Sequence, residues 1–313
     1  MARAGAEVGA ARGPRPYLGA ALVIGAAALW GSLGVFGKVL YGAGLSPLEV
    51  ASVRAAIGCV GLGLWLARRP ARLRIAWRDV PFFALFGLVG IALFYGLYLL
   101  AIERTTVAIA AALLYTAPAF VAGLSRLFRI ERLGPGRWLA LGLVLVGAFL
   151  VTGAARSVVA GGTVVSPEAI GFGLGAALTY ALFTLFGKRA LGRYDPLRTV
   201  FWSFAFGTLF LALAEPPWRA VASAPQALPA LVLMGVGPTI GAYLLYLGGL
   251  RHLPATAASM LATAEPVVAA LLGVGWLGES LTADRAVGIG LIVVAAAILS
   301  SRSAPAPAGA GAG

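Results

Sequence analysis

Gly25–Lys38, GAAALWGSLGVFGK, returns further along the chain as Gly175–Lys188, GAALTYALFTLFGK. Aligned so that Gly25 meets Gly175, residues Gly25, Ala26, Ala27, Phe36, Gly37 and Lys38 face identical partners, and Trp30 faces Tyr180. Both copies are apolar runs that end on a lysine. A chain that uses the same helix twice is built as two halves, and the remaining sequence reads naturally against that repeat.

Composition sets the class. The chain has 313 residues, is 60% hydrophobic and only 11% charged, and has a mean hydropathy of +0.94. A soluble domain carries about 25% charged residues, and with so few it would not stay in solution. The apolar residues fall in blocks of about 17–24, each long enough to cross a hydrocarbon core of about 30 Å as a helix. The fold class is therefore an all-α polytopic membrane protein. A net charge of +13 could suit a nucleic acid. The basic residues, however, lie between apolar blocks rather than on a soluble face, so the lipid bilayer is the expected partner and nucleic acid is not. Cys59 is the one cysteine and lies inside an apolar block, which excludes disulfide scaffolds and cysteine metal clusters.

Ten spans are predicted, at 17–40, 47–67, 80–102, 105–127, 137–153, 168–190, 197–214, 227–249, 255–277 and 284–301. Residues 1–16 read as a cytoplasmic tail. A basic start before an apolar run also fits a signal peptide, but the internal copy at Gly175 cannot be a cleaved leader. The expected organisation is a first five-helix repeat over 17–153, an extracytoplasmic linker over 154–167, a second repeat over 168–301 and a disordered tail over 302–313. With the N-terminus inside, eighteen connecting Lys and Arg lie on the inner side and only Arg104, Arg156, Arg219 and Arg285 on the outer. That asymmetry places both termini inside, in a plasma (inner) membrane, and agrees with an even number of spans.

The repeat extends past its first helix. Tyr95, Leu97, Tyr98 and Leu99 match Tyr243, Leu245, Tyr246 and Leu247; Ala110, Leu113 and Pro118 match Ala258, Leu261 and Pro266. Glu131 and Leu133 match Glu279 and Leu281, and Arg137 and Gly142 match Arg285 and Gly290. Five is odd, so two five-helix copies cross the membrane in opposite senses. Inverted repeats are the sequence signature of alternating-access carriers, which bind substrate near the midplane between the halves.

Thr263–Thr282, TAEPVVAALLGVGWLGESLT, carries a Glu-Pro that opens a small-residue helix running into a Gly-Glu turn. Tyr115–Leu133 follows the same outline with Pro118 and Glu131, although Ile130 stands where the pattern has glycine. With Trp30–Ser32 and Phe36–Lys38, these motifs resemble the EamA family of the drug/metabolite transporter superfamily, across both halves of the chain. The resemblance implies a ten-helix secondary carrier of small metabolites that needs no ATP, similar to bacterial exporters of aromatic amino acids or of threonine and homoserine.

Candidate transport residues follow from helical faces and from charge inside the spans. Trp30, Gly34 and Lys38 share one face of the first helix, as do Tyr180, Thr184 and Lys188 of its copy. Trp30 and Tyr180 are expected to line a cavity, the alternative being an interfacial aromatic belt. Lys38 and Lys188 read either as snorkelling helix-end lysines or as gates at opposite mouths. Tyr95 with Tyr98, and Tyr243 with Tyr246, each share a face, and Tyr115 precedes the helix-breaking Pro118 by one turn. Tyrosine offers a stacking ring and one hydroxyl without burying a charge, and the resemblance favours Tyr98 and Tyr115 as cavity residues. Arg54 and Glu265 are ionisable and deep in their spans, where a charge costs about 2.5–3.5 kcal/mol on insertion scales, so each needs a partner. Glu265 reads as a proton-coupling carboxylate or as structural glue at the Glu-Pro break; Arg54 reads as a structural partner or a clamp for a substrate carboxylate. His252 is expected in a solvated cytoplasmic connection. No phosphate loop, paired metal-ligand motif or nucleophile–base set is present, so no cofactor and no metal is expected. The alternative of a membrane-embedded enzyme acting on lipid-linked substrates lacks residues to carry it.

Overall fold

A computed structural model of the chain describes residues 15–68, 73–154, 156, 165–278 and 280–301. Residues 1–14 of the first expected tail, the second tail, most of the linker and Glu279 lie outside these residues, and Pro16, read from sequence as the last tail residue, opens the first helix. Ten helices are long and apolar enough to cross a membrane: α1 Pro16–Gly42, α2 Pro47–Ala67, α3 Trp77–Arg104, α4 Val107–Leu127 and α5 Pro135–Thr152, then α6 Pro167–Ala190, α7 Pro196–Ala214, α8 Pro225–Leu250, α9 Ala255–Trp276 and α10 Ala283–Ser300. A short helix, Pro217–Ser223, precedes α8. No strand occurs among the described residues.

The starts of these helices are written locally. Proline is the first residue of α1, α2, α5, α6 and α7, where its missing N–H costs nothing and its fixed φ suits a helix. Ser46 and Glu49 form a reciprocal capping box at α2: Ser46 Oγ accepts from Glu49 N at 3.2 Å, and Glu49 Oε2 accepts from Ser46 N at 2.7 Å. Ser166 and Asp195 cap α6 and α7 one way, their side chains accepting from Ala169 N and Arg198 N.

Five of the long helices are interrupted mid-span. α1 is broken at Ser32, α4 at Tyr115–Thr116 and α9 at Thr263–Ala264; α3 and α8 widen into π-helical turns at Leu88–Leu93 and Gly235–Gly241. Each interruption frees backbone carbonyls, and in hydrocarbon these need an internal donor. Hydroxyls supply several: Ser32 Oγ donates to Leu29 O at 2.6 Å, Thr116 Oγ1 to Leu113 O at 2.6 Å and Thr263 Oγ1 to Ser259 O at 3.3 Å. At α8 the cause is explicit. Pro238 has no N–H for the Met234 carbonyl, and Thr239 Oγ1 donates to it instead at 3.1 Å. The sequence placed the α4 break near Pro118; the chain turns at Tyr115–Thr116, and Pro118 falls in the first turn of the helix that resumes.

The packing has a regular pattern. α1 packs on α8 and α9, while α6 packs on α3 and α4; α2 packs on α8, while α7 packs on α3. α2 pairs with α7, α4 with α9 and α5 with α10. Small residues set the closest of these contacts, as packing within a bilayer requires. A Cβ on Gly288 of α10 would lie 2.6 Å from the Gly147 carbonyl oxygen of α5, so even alanine forces the two backbones apart. Gly290, two residues on and so on the opposite face of the helix, would place a Cβ in open space. Gly288→Ala is therefore expected to destabilise by about 1–3 kcal/mol, seen as an earlier thermal unfolding in detergent. Gly290→Ala should unfold at the same temperature or above. Equal behaviour of the two variants would refute the close α5–α10 crossing.

Candidate functional site

The interruptions converge on one cavity of about 180 Å³. It is lined by Trp30 and Tyr41 of α1, Arg54 of α2, Phe94, Tyr95 and Tyr98 of α3, Tyr115 of α4, Tyr180 of α6, Tyr243 of α8 and Glu265 of α9. Trp30 stands at its centre, only 5% exposed. Its ring meets Tyr243 edge-on at 5.3 Å, Tyr180 edge-on at 6.3 Å and Tyr246 at 5.3 Å. Phe94 stacks on Tyr98 at 6.2 Å and tilts against Tyr180 at 5.7 Å. Such ring pairs hold one another in fixed geometry and leave apolar faces with a few hydroxyls toward the cavity.

The two charges occupy different walls. Arg54 is 8% exposed; its Nε donates to Thr239 Oγ1 at 3.1 Å, and its guanidinium lies over the Tyr95 ring at 5.1 Å. Thr239 is the residue that repairs the π turn of α8, so the helix defect made by Pro238 also positions the arginine. The Tyr95 and Tyr243 hydroxyls lie 3.4 Å apart beside it. On the α9 wall, Glu265 is partly buried and lines the cavity beside Tyr115 of α4. Gly31 lets α1 approach here: a Cβ on it would lie 2.9 Å from the Glu265 carbonyl oxygen.

The cavity extends toward one end of the bundle. Its lining reaches Tyr41, Pro47 and Ile102, at the end of the bundle where α1 finishes and α2 begins. Toward the opposite end, where α1 begins, Phe86 packs on Phe183 at 5.0 Å and on Phe186 at 5.8 Å, with Phe82 on Phe186 at 5.7 Å. Beyond these rings, Lys188 Nζ donates to the carbonyls of Leu250 at 2.7 Å and Leu253 at 2.6 Å, closing the C-terminal end of α8. Glu131, after α4, accepts from Ala255 N at 2.5 Å and from Thr256 N and Oγ1 at 3.3 and 2.7 Å, which caps the start of α9.

Of the residues singled out from sequence, Trp30, Arg54, Tyr95, Tyr98, Tyr115, Tyr180, Tyr243 and Glu265 share this cavity. Tyr246 does not line it. Fully buried behind Trp30, its hydroxyl pairs with Thr184 Oγ1 at 2.7 Å. Lys38 is exposed near the end of α1. His252 was expected to be solvated; it is instead partly buried, with Nδ1 accepting from Arg15 N at 3.4 Å. Burial and the neighbouring Arg251, Arg15 and Lys188 charges hold its pKa below the usual histidine range. Sequence reasoning missed Tyr41, Phe94 and Thr239, none of which is marked by charge or by the repeat.

Comparison with known proteins agrees with this architecture. Residues 17–153 and 168–301 each match the model of the EamA-like transporter family. An uncharacterized transporter of Archaeoglobus fulgidus is 31% identical over 91% of this chain and 96% of its own length. The uncharacterized transporter YwfM of Bacillus subtilis is 28% identical over 89% of this chain and 92% of its own. A protein of Streptantibioticus cattleyicolor named "Probable terminal-alkyne amino-acid exporter" is 29% identical over 86% of both chains. One crystal structure superposes with a TM-score of 0.76 at 22% identity, covering 92% of this chain and 99% of that one, and shares the fold. Ten spans around a cavity lined from both halves, with both halves matched, make this chain a multi-pass membrane transporter of small molecules rather than an enzyme, and it belongs to the EamA-like transporter family.

Proposed function

We propose that the chain is a secondary carrier that exports amino acids or closely related metabolites by alternating access, through the cavity around Trp30. The observation that carries this reading is a mid-span cavity that holds two ionisable groups, opens toward one end of the bundle and is plugged by phenylalanines at the other. Water and solute reach such a site from one side at a time, as a carrier without ATP requires. The amino-acid cargo is supported by the exporter name of the Streptantibioticus relative and by the size and ring-lined character of the cavity.

Two five-helix repeats of opposite orientation, over 17–153 and 168–301, are supported by the packing pattern. Exchanging α1–α5 with α6–α10 leaves every helix pairing named above unchanged. With both termini inside the cell's inner membrane, as the charge asymmetry suggests, the open mouth faces outward and the phenylalanine plug faces the cytoplasm. Lys188 then closes the inner mouth, and Lys38 is the equivalent residue for the outer mouth in the opposite state. Glu265 is the carboxylate through which a proton gradient would couple to transport.

Three outcomes test this reading. Liposomes containing the purified protein and loaded with unlabelled amino acid should show saturable counterflow of the labelled compound; product formation without solute movement would sink the proposal. Trp30→Ala should lower counterflow of bulky substrates about tenfold per folded protein, since it removes three ring contacts worth about 0.5–1.5 kcal/mol each beyond their burial. Activity equal to wild type would reject Trp30 as a cavity residue. Glu265→Gln should abolish proton-driven net transport yet keep exchange at saturating substrate, whereas an unchanged pH dependence would leave Glu265 a structural role only.

A further inference from the structure

Arg54 and Glu265 are opposite charges in one small cavity, close enough to interact through space. Yet no ion pair within 4.0 Å joins them among the described residues, whose ion pairs involve other groups. Buried charges normally close on one another, because an unpaired charge away from water is costly. Here packing holds them apart. Arg54 is tethered to α8 through Thr239 and seated on the Tyr95 ring, while Glu265 stands on α9 across the same cavity. Trp30 lines the cavity with them and packs edge-on against Tyr243 and Tyr180. One guanidinium nitrogen is used by Thr239, which leaves the planar pair of terminal amino groups, the geometry that takes a carboxylate by two parallel hydrogen bonds.

We infer that the gap between Arg54 and Glu265 is a two-point clamp for a zwitterion, with Arg54 holding the ligand's carboxylate and Glu265 its ammonium. The inference rests on the transport reading above and narrows its cargo to compounds that carry both groups close together. The bound zwitterion completes two half-satisfied charges at once, while a lone amine or lone acid leaves one of them unpaired. Tyr98, Tyr115 and Tyr180 line the same cavity as Glu265, and their aromatic faces suit an ammonium, which is attracted to them as well as to the carboxylate. The apolar faces of Trp30 and Phe94 remain for the ligand's side chain. A neutral sugar or nucleoside would leave both charges unanswered and is selected against.

The test is a matched ligand series on the purified full-length protein. L-phenylalanine, phenethylamine (which lacks the carboxylate) and 3-phenylpropanoate (which lacks the ammonium) share one ring and differ only in the charged groups; L-leucine with isopentylamine and 4-methylpentanoate repeats the comparison without the ring. Binding is read by thermal shift and by inhibition of counterflow. For at least one of the two sets, the zwitterion should bind about tenfold or more tightly than either singly charged relative. Arg54→Gln should weaken the zwitterion by a similar factor and leave the amine within about twofold; Glu265→Gln should weaken the zwitterion and spare the acid. Arg54→Lys keeps the charge and serves if Arg54→Gln does not fold: it should bind the zwitterion less tightly yet still prefer it to the amine. The clamp is overturned if the singly charged compounds bind as well as the zwitterions, or if each variant weakens all three members alike. It is also overturned if uncharged solutes support counterflow while no zwitterion binds, an outcome that leaves the transport reading standing. Absence of counterflow with every solute removes the transport reading, and the clamp with it.

Discussion

Inside a bilayer every backbone carbonyl and N–H must find a partner within the protein, and this requirement shapes the whole molecule. Continuous helices meet it automatically. Continuous helices offer a site only their side chains, because their backbone polar groups are already used. This chain interrupts five of its ten spans in mid-membrane and repairs four of the defects with a nearby hydroxyl. The sequence of events at α8 shows how one defect becomes function. Pro238 removes a donor, Thr239 takes over the Met234 carbonyl, and the same hydroxyl receives Arg54 from α2. A helix fault, a helix–helix tether and a charged wall of the cavity are thus one structure.

The rest of the packing keeps that site both rigid and movable. Close backbone contacts such as Gly147 against Gly288 are narrow and smooth, allowing helices to lie together without interlocking side chains. The ends of the bundle are joined by polar groups that exchange easily. Lys188 on the carbonyls of Leu250 and Leu253, and Glu131 on the first turn of α9, are hydrogen bonds to backbone at helix termini, and water can replace them without leaving a buried group unsatisfied. Between them and the cavity stand the rings of Phe86, Phe183 and Phe186 and the buried hydroxyl pair of Thr184 and Tyr246. Apolar rings part without the cost of separating an ion pair in hydrocarbon, which suits the alternating access proposed above.

Much of this was legible in the residues. Composition and block length gave ten spans whose ends agree with the helices to within a few residues, since both depend on the same hydrocarbon thickness. The matched tyrosines and the two buried charges led to the cavity because polar groups deep in a span must face protein or water. Other features were hidden for definite reasons. Tyr246 shares a face with Tyr243 but lies behind Trp30, and helical spacing cannot distinguish a cavity wall from the layer behind it. The π turns of α3 and α8 leave no periodicity signal over six or seven residues, although Pro238 marks one of them. Phe94 looked like one more apolar residue until its neighbours were known.

The central claim is a single cavity that opens to the two sides alternately. Single cysteines placed at Ile102, beside the open mouth, and at Leu247, beyond the phenylalanine plug, in a Cys59→Ala background, would report on it directly through labelling by a membrane-impermeant maleimide from either side of the bilayer. In oriented vesicles, an amino acid that supports counterflow should change the two rates in opposite directions, the Ile102 site losing reactivity from outside as the Leu247 site gains it from inside. Rates that both stay fixed, or that rise and fall together, would contradict alternating access through this cavity.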